Sequence, residues 1–360
     1  MESYLKYINW SDRLRAFEGR NVALYGAGKY GKNALDNIKK YLPQLEIVCF
    51  LDDNKIRNNK DIDGIKIYSL DEARKINDDF NILITNYYIL PVLKKIELSG
   101  FDINKVFFWN EILIEDVEYE FLLSHMKDIK EVYNYLNDYQ SKKIFQTMIE
   151  ARYTKNIDFL GRTCQKIQYF PDDIFSWGAN EVFVDGGAFD GDTIEQFLKH
   201  TDYQYRYIYA FEPDNTNYEK LIKKQNIENS LFYNAGLYNQ TMKIGFTFNK
   251  GGSSKVKKEE NSSVVQVYKF DDLKLPNDEI TFIKMDIEGS ELSALKGMEK
   301  TIKRCKPKLA ICIYHKLEDL WELPLYIKQL VPDYKLYIRN YTSYLDEIVL
   351  YAVCKDSNGR

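Results

Sequence analysis

The chain of 360 residues is 45% hydrophobic and 29% charged, with 50 Lys and Arg set against 54 Asp and Glu for a net charge of −4. That length supports two ordinary cores, and an interspersed, slightly acidic charge excludes the basic stripe of a nucleic-acid binder. No apolar run approaches the roughly 18 to 20 residues of a membrane helix, and the start MESYLKYINWSDRLRAFEGR lacks a signal-peptide core, so a soluble cytoplasmic protein is expected.

In chain order, the first element is the run Val22 to Tyr25. Gly26, Gly28 and Gly31 follow in the spacing G-x-G-x-x-G, and Tyr30, Ala34 and Ile38 then recur at helical intervals. The strand LEIVCFLDD ends at Asp52 and Asp53, about where an acid meets a ribose in a dinucleotide fold. NILITN and KVFFWN add two strands around the helical ILPVLKKIELSG, which predicts a small doubly wound, Rossmann-like α/β domain over residues 1–115. Its turn carries Lys29 and Lys32 and no acid, so its amides and helix N-terminus can receive a phosphate. A nucleotide or nucleotide-sugar site at Gly26, Gly28, Lys29, Gly31, Asp52 and Asp53 is expected, against the plainer reading of glycines that only make a tight turn. Residues 116–164 read as a polar-rich helical connector, with Phe121, Leu122 and Met126 at helical spacing.

The second unit, residues 165–357, has strand patterns at Val182 to Asp185, Tyr207 to Phe211, Leu231 to Asn234, Thr281 to Asp286 and Lys308 to Tyr314. Helical patterns fall at Thr193 to Leu198, Asn215 to Lys224 and Ser290 to Arg304, and TMKIGFTFN alternates as an inserted strand. YKLYIRN and EIVLYAVC are joined too closely for a crossover helix and are therefore antiparallel. Five parallel strands with helices and a C-terminal antiparallel pair are the architecture of a class I methyltransferase.

The turn FVDGGAFDGDTIEQF resembles a phosphate loop in its glycines, but Asp185, Asp190 and Asp192 would repel a pyrophosphate. S-adenosylmethionine, a sulfonium with an ammonium, a carboxylate and no phosphate, suits it better. Asp185 can pair the ammonium while Gly186, Gly187 and Gly191 allow close backbone approach. Thr193 and the helix N-terminus can take the carboxylate, with Asp190 or Asp192 alternatively capping that helix. Glu212 follows Asp185 by 27 residues, one β-α-β step, and can accept both ribose hydroxyls. Ligands of open α/β sheets sit outside the carboxyl ends of the strands, so Asp185, Glu212, Asn234, Asp286 and His315 should converge on one crevice. His315, one of three histidines, is the candidate base for an in-line transfer to a hydroxyl, against a role in orienting the acceptor. Asp286 and Glu288 lack a clear third metal ligand, so no metal is expected and an ion there is the lesser alternative.

Cys49, Cys164, Cys305, Cys312 and Cys354 are odd in number and scattered, mostly in apolar runs, which suits reduced core thiols better than a disulfide or zinc framework.

EVFVDGGAFDGDTIEQF, YAFEPD, FIKMDIEGSELSALKGM and AICIYHKLEDLWELP together resemble the FkbM-type S-adenosylmethionine-dependent methyltransferases, in the family's order, over roughly residues 165–355. The resemblance implies O-methylation, often of sugars in polysaccharide or natural-product pathways, with donor contacts at Asp185, Gly187, Thr193, Glu212 and Asp286. It makes Gln168 and Tyr169, and Ser253 and Ser254, candidates for closing over donor and acceptor. Glu288, Lys316, Glu318 and Trp321 are candidates for gripping the sugar, although Trp321 also fits the core of the following helix. The N-terminal YGAGKYG, FLDDNK and DGIKIYSLDEA are more loosely similar to small modules that bind nucleotide-sugars. A sugar or nucleotide-sugar acceptor is the expected partner, and a homo-oligomer is left open. Two rivals stand beside this reading: an NAD(P)-dependent oxidoreductase using the first turn, and a non-catalytic nucleotide-sugar-binding protein with a degenerate methyltransferase fold.

Overall fold

The computed structural model describes residues 21–41, 43–53, 61–76, 79–85, 89–102, 105–109, 119–154, 160, 163–224, 227–246, 263–342 and 344–354. It divides into two compact units. The first runs to Ser124 and takes up Gln146–Cys164 and Thr342–Leu345; the second comprises His125–Phe145, Gln165–Tyr341 and the chain from Asp346. The segment expected as a separate connector is therefore shared between the two. Its described helices are Tyr119–Ser124, Met126–Tyr135 and Tyr139–Thr154.

The first unit holds six strands, β1 (Val22–Tyr25), β2 (Ile47–Leu51), β3 (Asp61–Ile62), β4 (Ile65–Tyr68), β5 (Asn81–Ile84) and β6 (Val106–Phe108), in the order β3-β4-β2-β1-β5-β6. All neighbours are parallel except β3 and β4. The interior strands β1 and β5 are buried at every position, as a parallel sheet covered on both faces requires. The helix Lys29–Tyr41 buries Ala34, Leu35 and Ile38 against that sheet. Tyr30, expected on the same stripe, is 45% exposed.

The second unit is built on seven strands, β7 (Val182–Gly186), β8 (Tyr207–Phe211), β9 (Ser230–Tyr233), β13 (Phe282–Met285), β14 (Lys308–Cys312), β15 (Lys335–Asn340) and β16 (Ile348–Val353). Their order is β15-β16-β14-β13-β7-β8-β9, with β16 antiparallel to both of its neighbours and the rest parallel. This is the class I methyltransferase sheet. Phe183 on β7 and Phe282 on β13 stack at 4.9 Å in its aromatic core. Two lysines lie inside it, each with a carboxylate: Lys284 with Asp185 and Lys308 with Glu181. The inserted strand, β11 (Met242–Phe246), joins β10 (Gly236–Leu237) and β12 (Ser263–Tyr268) in a separate sheet ordered β10-β12-β11. The helix expected over 290–304 is two, Glu291–Gly297 and Glu299–Cys305, broken at Met298. Gly297 is needed there, since a Cβ would stand 2.0 Å from the Tyr238 carbonyl oxygen.

Strand order reverses between β7 and β13, and the crevice opens beyond the carboxyl ends of these strands and β8, as the switch-point rule requires.

Candidate active site

The turn after β7 is bound tightly to its surroundings. Gly187 has φ +77°, and a Cβ on it would lie 1.9 Å from the Asp286 carbonyl oxygen. The Gly187 and Ala188 amides both donate to the Phe211 carbonyl, at 3.0 and 3.1 Å. From β13, Lys284 donates to the Gly187 carbonyl at 2.7 Å and stands 3.1 Å from Asp185 Oδ1. Asp185 is fully buried and does not line the cleft. Burial lifts its pKa to about 6, with Lys284 pulling against that rise. Direct pairing of Asp185 with a ligand ammonium therefore does not fit: β13 runs alongside β7 with Lys284 opposite Asp185, and the lysine takes the place of the ligand.

The cleft, about 450 Å³, is rich in acid along one side. Glu212, just past β8, is 6% exposed, and both its oxygens are fixed by backbone: Oε2 accepts from the Phe189 amide and Oε1 from the Asp214 amide, each at 2.8 Å. Burial raises its pKa to about 7, and the two amides oppose that shift. Asp192, at the start of the helix Asp192–His200, lines the cleft and accepts the Thr193 amide at 2.8 Å. The helix N-terminus proposed for a ligand carboxylate is thus partly occupied by the chain's own acid, and Asp192 replaces Asp185 as the acid that faces the cleft. Leu237, Ile244, Val265 and Val267, contributed by the small sheet and its strand β10, add an apolar part to the lining.

At the third strand end, Asp286 is a hub. Its carboxylate accepts from Tyr169 Oη at 2.9 Å and Tyr314 Oη at 3.3 Å and faces His315 Nε2 at 3.3 Å. Burial would raise its pKa, but His315 and Lys284 hold it well below the usual carboxylate range. His315 is enclosed by acid: Nδ1 is 3.0 Å from Glu291 Oε1, and Nε2 is 3.6 Å from Glu288 Oε2. Burial favours the neutral ring, yet Asp286 and Glu291 outweigh it and lift His315 to about 11. The ring does not line the cleft and both of its nitrogens face carboxylates, so the geometry favours a structural place for His315 behind the cleft over the expected base role. Glu347 lines the same end of the cleft with φ +51°, an uncommon backbone for a non-glycine, and accepts a hydrogen bond from Gln168 Nε2. Burial and the neighbouring Asp286 raise its pKa.

Of the expected donor residues, Gln168, Tyr169, Gly187, Thr193, Glu212 and Asp286 line one cleft, joined by Glu288. Gly186, Asp190 and Asn234 stand off its lining. Trp321 is 2% exposed and stacked on His125 at 4.9 Å within the helix Asp319–Leu330, so it is core and not a sugar platform. Lys316 donates to the Gly289 carbonyl, and Glu318 is the residue before that helix; neither lines the cleft. Ser253 and Ser254 lie outside the described residues. The residues missed were Lys284, Glu291 and Glu347. A lysine inside the apolar run FIKM is a signal of a paired buried charge, whereas Glu347 arrives from the far end of the chain and carries none.

In the first unit, the Ala27 amide, a donor that a phosphate would need, is taken by Asp52 Oδ2 at 2.9 Å. Asp53 is held by Tyr25 Oη at 2.6 Å and Lys95 Nζ at 2.9 Å. Gly31 is needed for packing, since its Cβ would stand 1.8 Å from the Gly26 carbonyl oxygen. Gly28 has open space around it and Lys29 begins the helix. One amide of this turn is thus taken by the chain's own acid.

No helix among the described residues is long and apolar enough to cross a membrane. Residues 18–107 match the family described as C2185-like, N-terminal. No curated protein matches the chain in sequence. The structure of methyltransferase FkbM from Methylobacillus flagellatus is similar over 95% of this chain and 92% of its own, at 22% identity and a TM-score of 0.65, a likeness of fold. An rRNA methylase from Streptococcus thermophilus (13% identity, 49% of this chain and 90% of that one, TM-score 0.32) and a SAM-dependent methyltransferase from Aquifex aeolicus (18%, 49% and 84%, 0.29) are more distant. Residues 185–342 match the family described as Methyltransferase FkbM domain, which supports an FkbM-type methyltransferase domain over that part of the chain.

Proposed function

We propose that the second unit binds S-adenosylmethionine in this cleft and transfers its methyl group to a sugar hydroxyl. The observation that carries the donor is Glu212: a carboxylate at the end of β8, aimed by two backbone amides and still lining the cleft, is a preorganised acceptor for two ribose hydroxyls. The base would lie on the apolar lining of Leu237, Ile244, Val265 and Val267. Asp192, Asp286 and Glu288 give the lining the negative charge that a sulfonium and an ammonium prefer, and the lining cation, Lys284, is already paired with Asp185.

The donor supplies an electrophilic methyl on positively charged sulfur. With donor and acceptor bound, Glu347 would take the hydroxyl proton as the acceptor oxygen displaced the sulfur from the methyl carbon, the bonding pair leaving with sulfur. Alignment of the two reactants can contribute about 7 to 11 kcal/mol. Gln168, Tyr169, Glu288 and Glu347 give the lining a polar end suited to a polyhydroxylated acceptor.

Calorimetry with S-adenosylmethionine and with NADH tests the donor. Binding of the first alone, weakened at least tenfold in Glu212→Ala, is expected; binding of the second alone overturns the reading. Mass spectrometry of nucleotide-sugars incubated with enzyme and donor should show the gain of one methyl mass.

A further inference from the structure

At the strand ends of the second unit, side chains from three separate pieces of chain meet behind the cleft. Asp286 follows β13, Glu291 opens the helix Glu291–Gly297, and His315 follows β14; one oxygen or nitrogen from each lies within 4.8 Å of the others. Glu291 is fully buried. Its Oε1 accepts the Ile287 amide at 2.9 Å and faces His315 Nδ1 at 3.0 Å, while its Oε2 is buried with no hydrogen-bond partner among the described residues. Neither nitrogen of His315, a side chain only 9% exposed, makes an aligned hydrogen bond. A buried carboxylate oxygen left without a donor is strongly disfavoured, and an ion is one of the few partners that relieves it. Glu288 completes the enclosure, with Oε2 at 3.6 Å from the ring and a left-handed backbone at φ +56°.

The charge count points the same way. Asp286, Glu288 and Glu291 carry three negative charges, the ring can offer one positive charge, and the neighbouring Lys284 is committed to Asp185. We infer that Asp286, Glu291 and His315 form a divalent-cation site, closed on the cleft side by Glu288. One imidazole among carboxylates suits a transition ion such as Mn²⁺ or Zn²⁺ better than an all-oxygen ion such as Ca²⁺. Asp286 and Glu288 line the cleft and the other two ligands lie behind it, so the open coordination positions face the acceptor end. There the ion would take acceptor oxygens and favour loss of a hydroxyl proton. Metal binding is read without donor or acceptor, so its failure is distinguishable from failure of the proposed methyl transfer.

The test uses the full chain stripped with EDTA and titrated with Mn²⁺, followed by electron paramagnetic resonance, with Zn²⁺ as competitor. One Mn²⁺ per chain, displaced by Zn²⁺, is expected, weakened about tenfold or more in Glu291→Gln and in His315→Gln. If near-UV circular dichroism shows that either variant has lost its fold, Glu288→Gln at the more accessible rim takes its place, with the same direction of effect. Absence of Mn²⁺ and Zn²⁺ binding to the wild type, or binding unchanged in the folded variants, overturns the site.

Discussion

Replacing Lys284 by Met tests whether the glycine turn is held by a buried charge. The lysine is 2% exposed, its Nζ lies 3.1 Å from Asp185 Oδ1, and it donates to the Gly187 carbonyl at 2.7 Å. Methionine fills nearly the same volume, so the loss is electrostatic and not a cavity. Removing one partner of a buried pair typically costs about 3 to 5 kcal/mol, because the other charge stays behind without compensation. That cost requires Asp185 to be ionised. Its folded pKa, about 6 with Lys284 present, already lies above the usual aspartate value and rises further without the lysine. The variant's folded state thus binds a proton that its unfolded state releases above pH 4 or so, and the variant gains stability as pH falls from 8 towards 5. At the lower pH the remaining deficit is the lost hydrogen bond to Gly187, about 1 to 2 kcal/mol.

Urea unfolding at pH 8 and pH 5, with amide exchange read on peptides covering β7 and β13, resolves this second-unit event from the first unit. Asp185→Asn/Lys284→Met should recover about 2 kcal/mol or more relative to Lys284→Met at pH 8, since neither charge is then stranded. Equal losses at the two pH values, or a double variant whose loss is the sum of the single ones, would refute the argument.

Donor affinity should weaken about tenfold between pH 8 and pH 6 as Glu212, with its pKa near 7, takes up a proton, and calorimetry on Glu212→Gln should give weak binding that is flat across that range. Gly187→Ala should lower donor affinity at least tenfold, because the new Cβ would collide with the Asp286 carbonyl; an unchanged dissociation constant would contradict the close approach. Glu347→Gln should reduce kcat by about 10²- to 10⁴-fold with donor affinity retained, measured by product mass in the acceptor assay. Gly31→Ala should destabilise the first unit in thermal unfolding, where its Cβ meets the Gly26 carbonyl, while leaving donor binding by the second unit intact.

The strand ends were legible because interior parallel strands read as unbroken apolar runs: Val182 to Asp185, Tyr207 to Phe211 and the run into Asp286 all stop within a residue or so of where the structure stops them. What such a run conceals is the direction in which its last side chain points. Asp185 and Glu212 look alike in sequence, each an acid at the end of an apolar strand before a turn. Asp185 is the last acid within its strand, placed opposite Lys284 by the β7–β13 register, whereas Glu212 falls one residue beyond β8, where the backbone turns and presents it to the cleft. Register is a long-range property, and it decided which acid became a structural partner and which a candidate ligand contact. The same holds for His315. Its position after an apolar strand suggested a free base, but the acids that surround it come from the segment DIEGSE, some 25 residues earlier in the chain, and that meeting exists only once β13 and β14 lie side by side. A histidine among three carboxylates belongs to the electrostatics of a cation, whether the cation is its own proton or an ion, and its contribution to methyl transfer has to be sought in the charge that it balances beside Asp286.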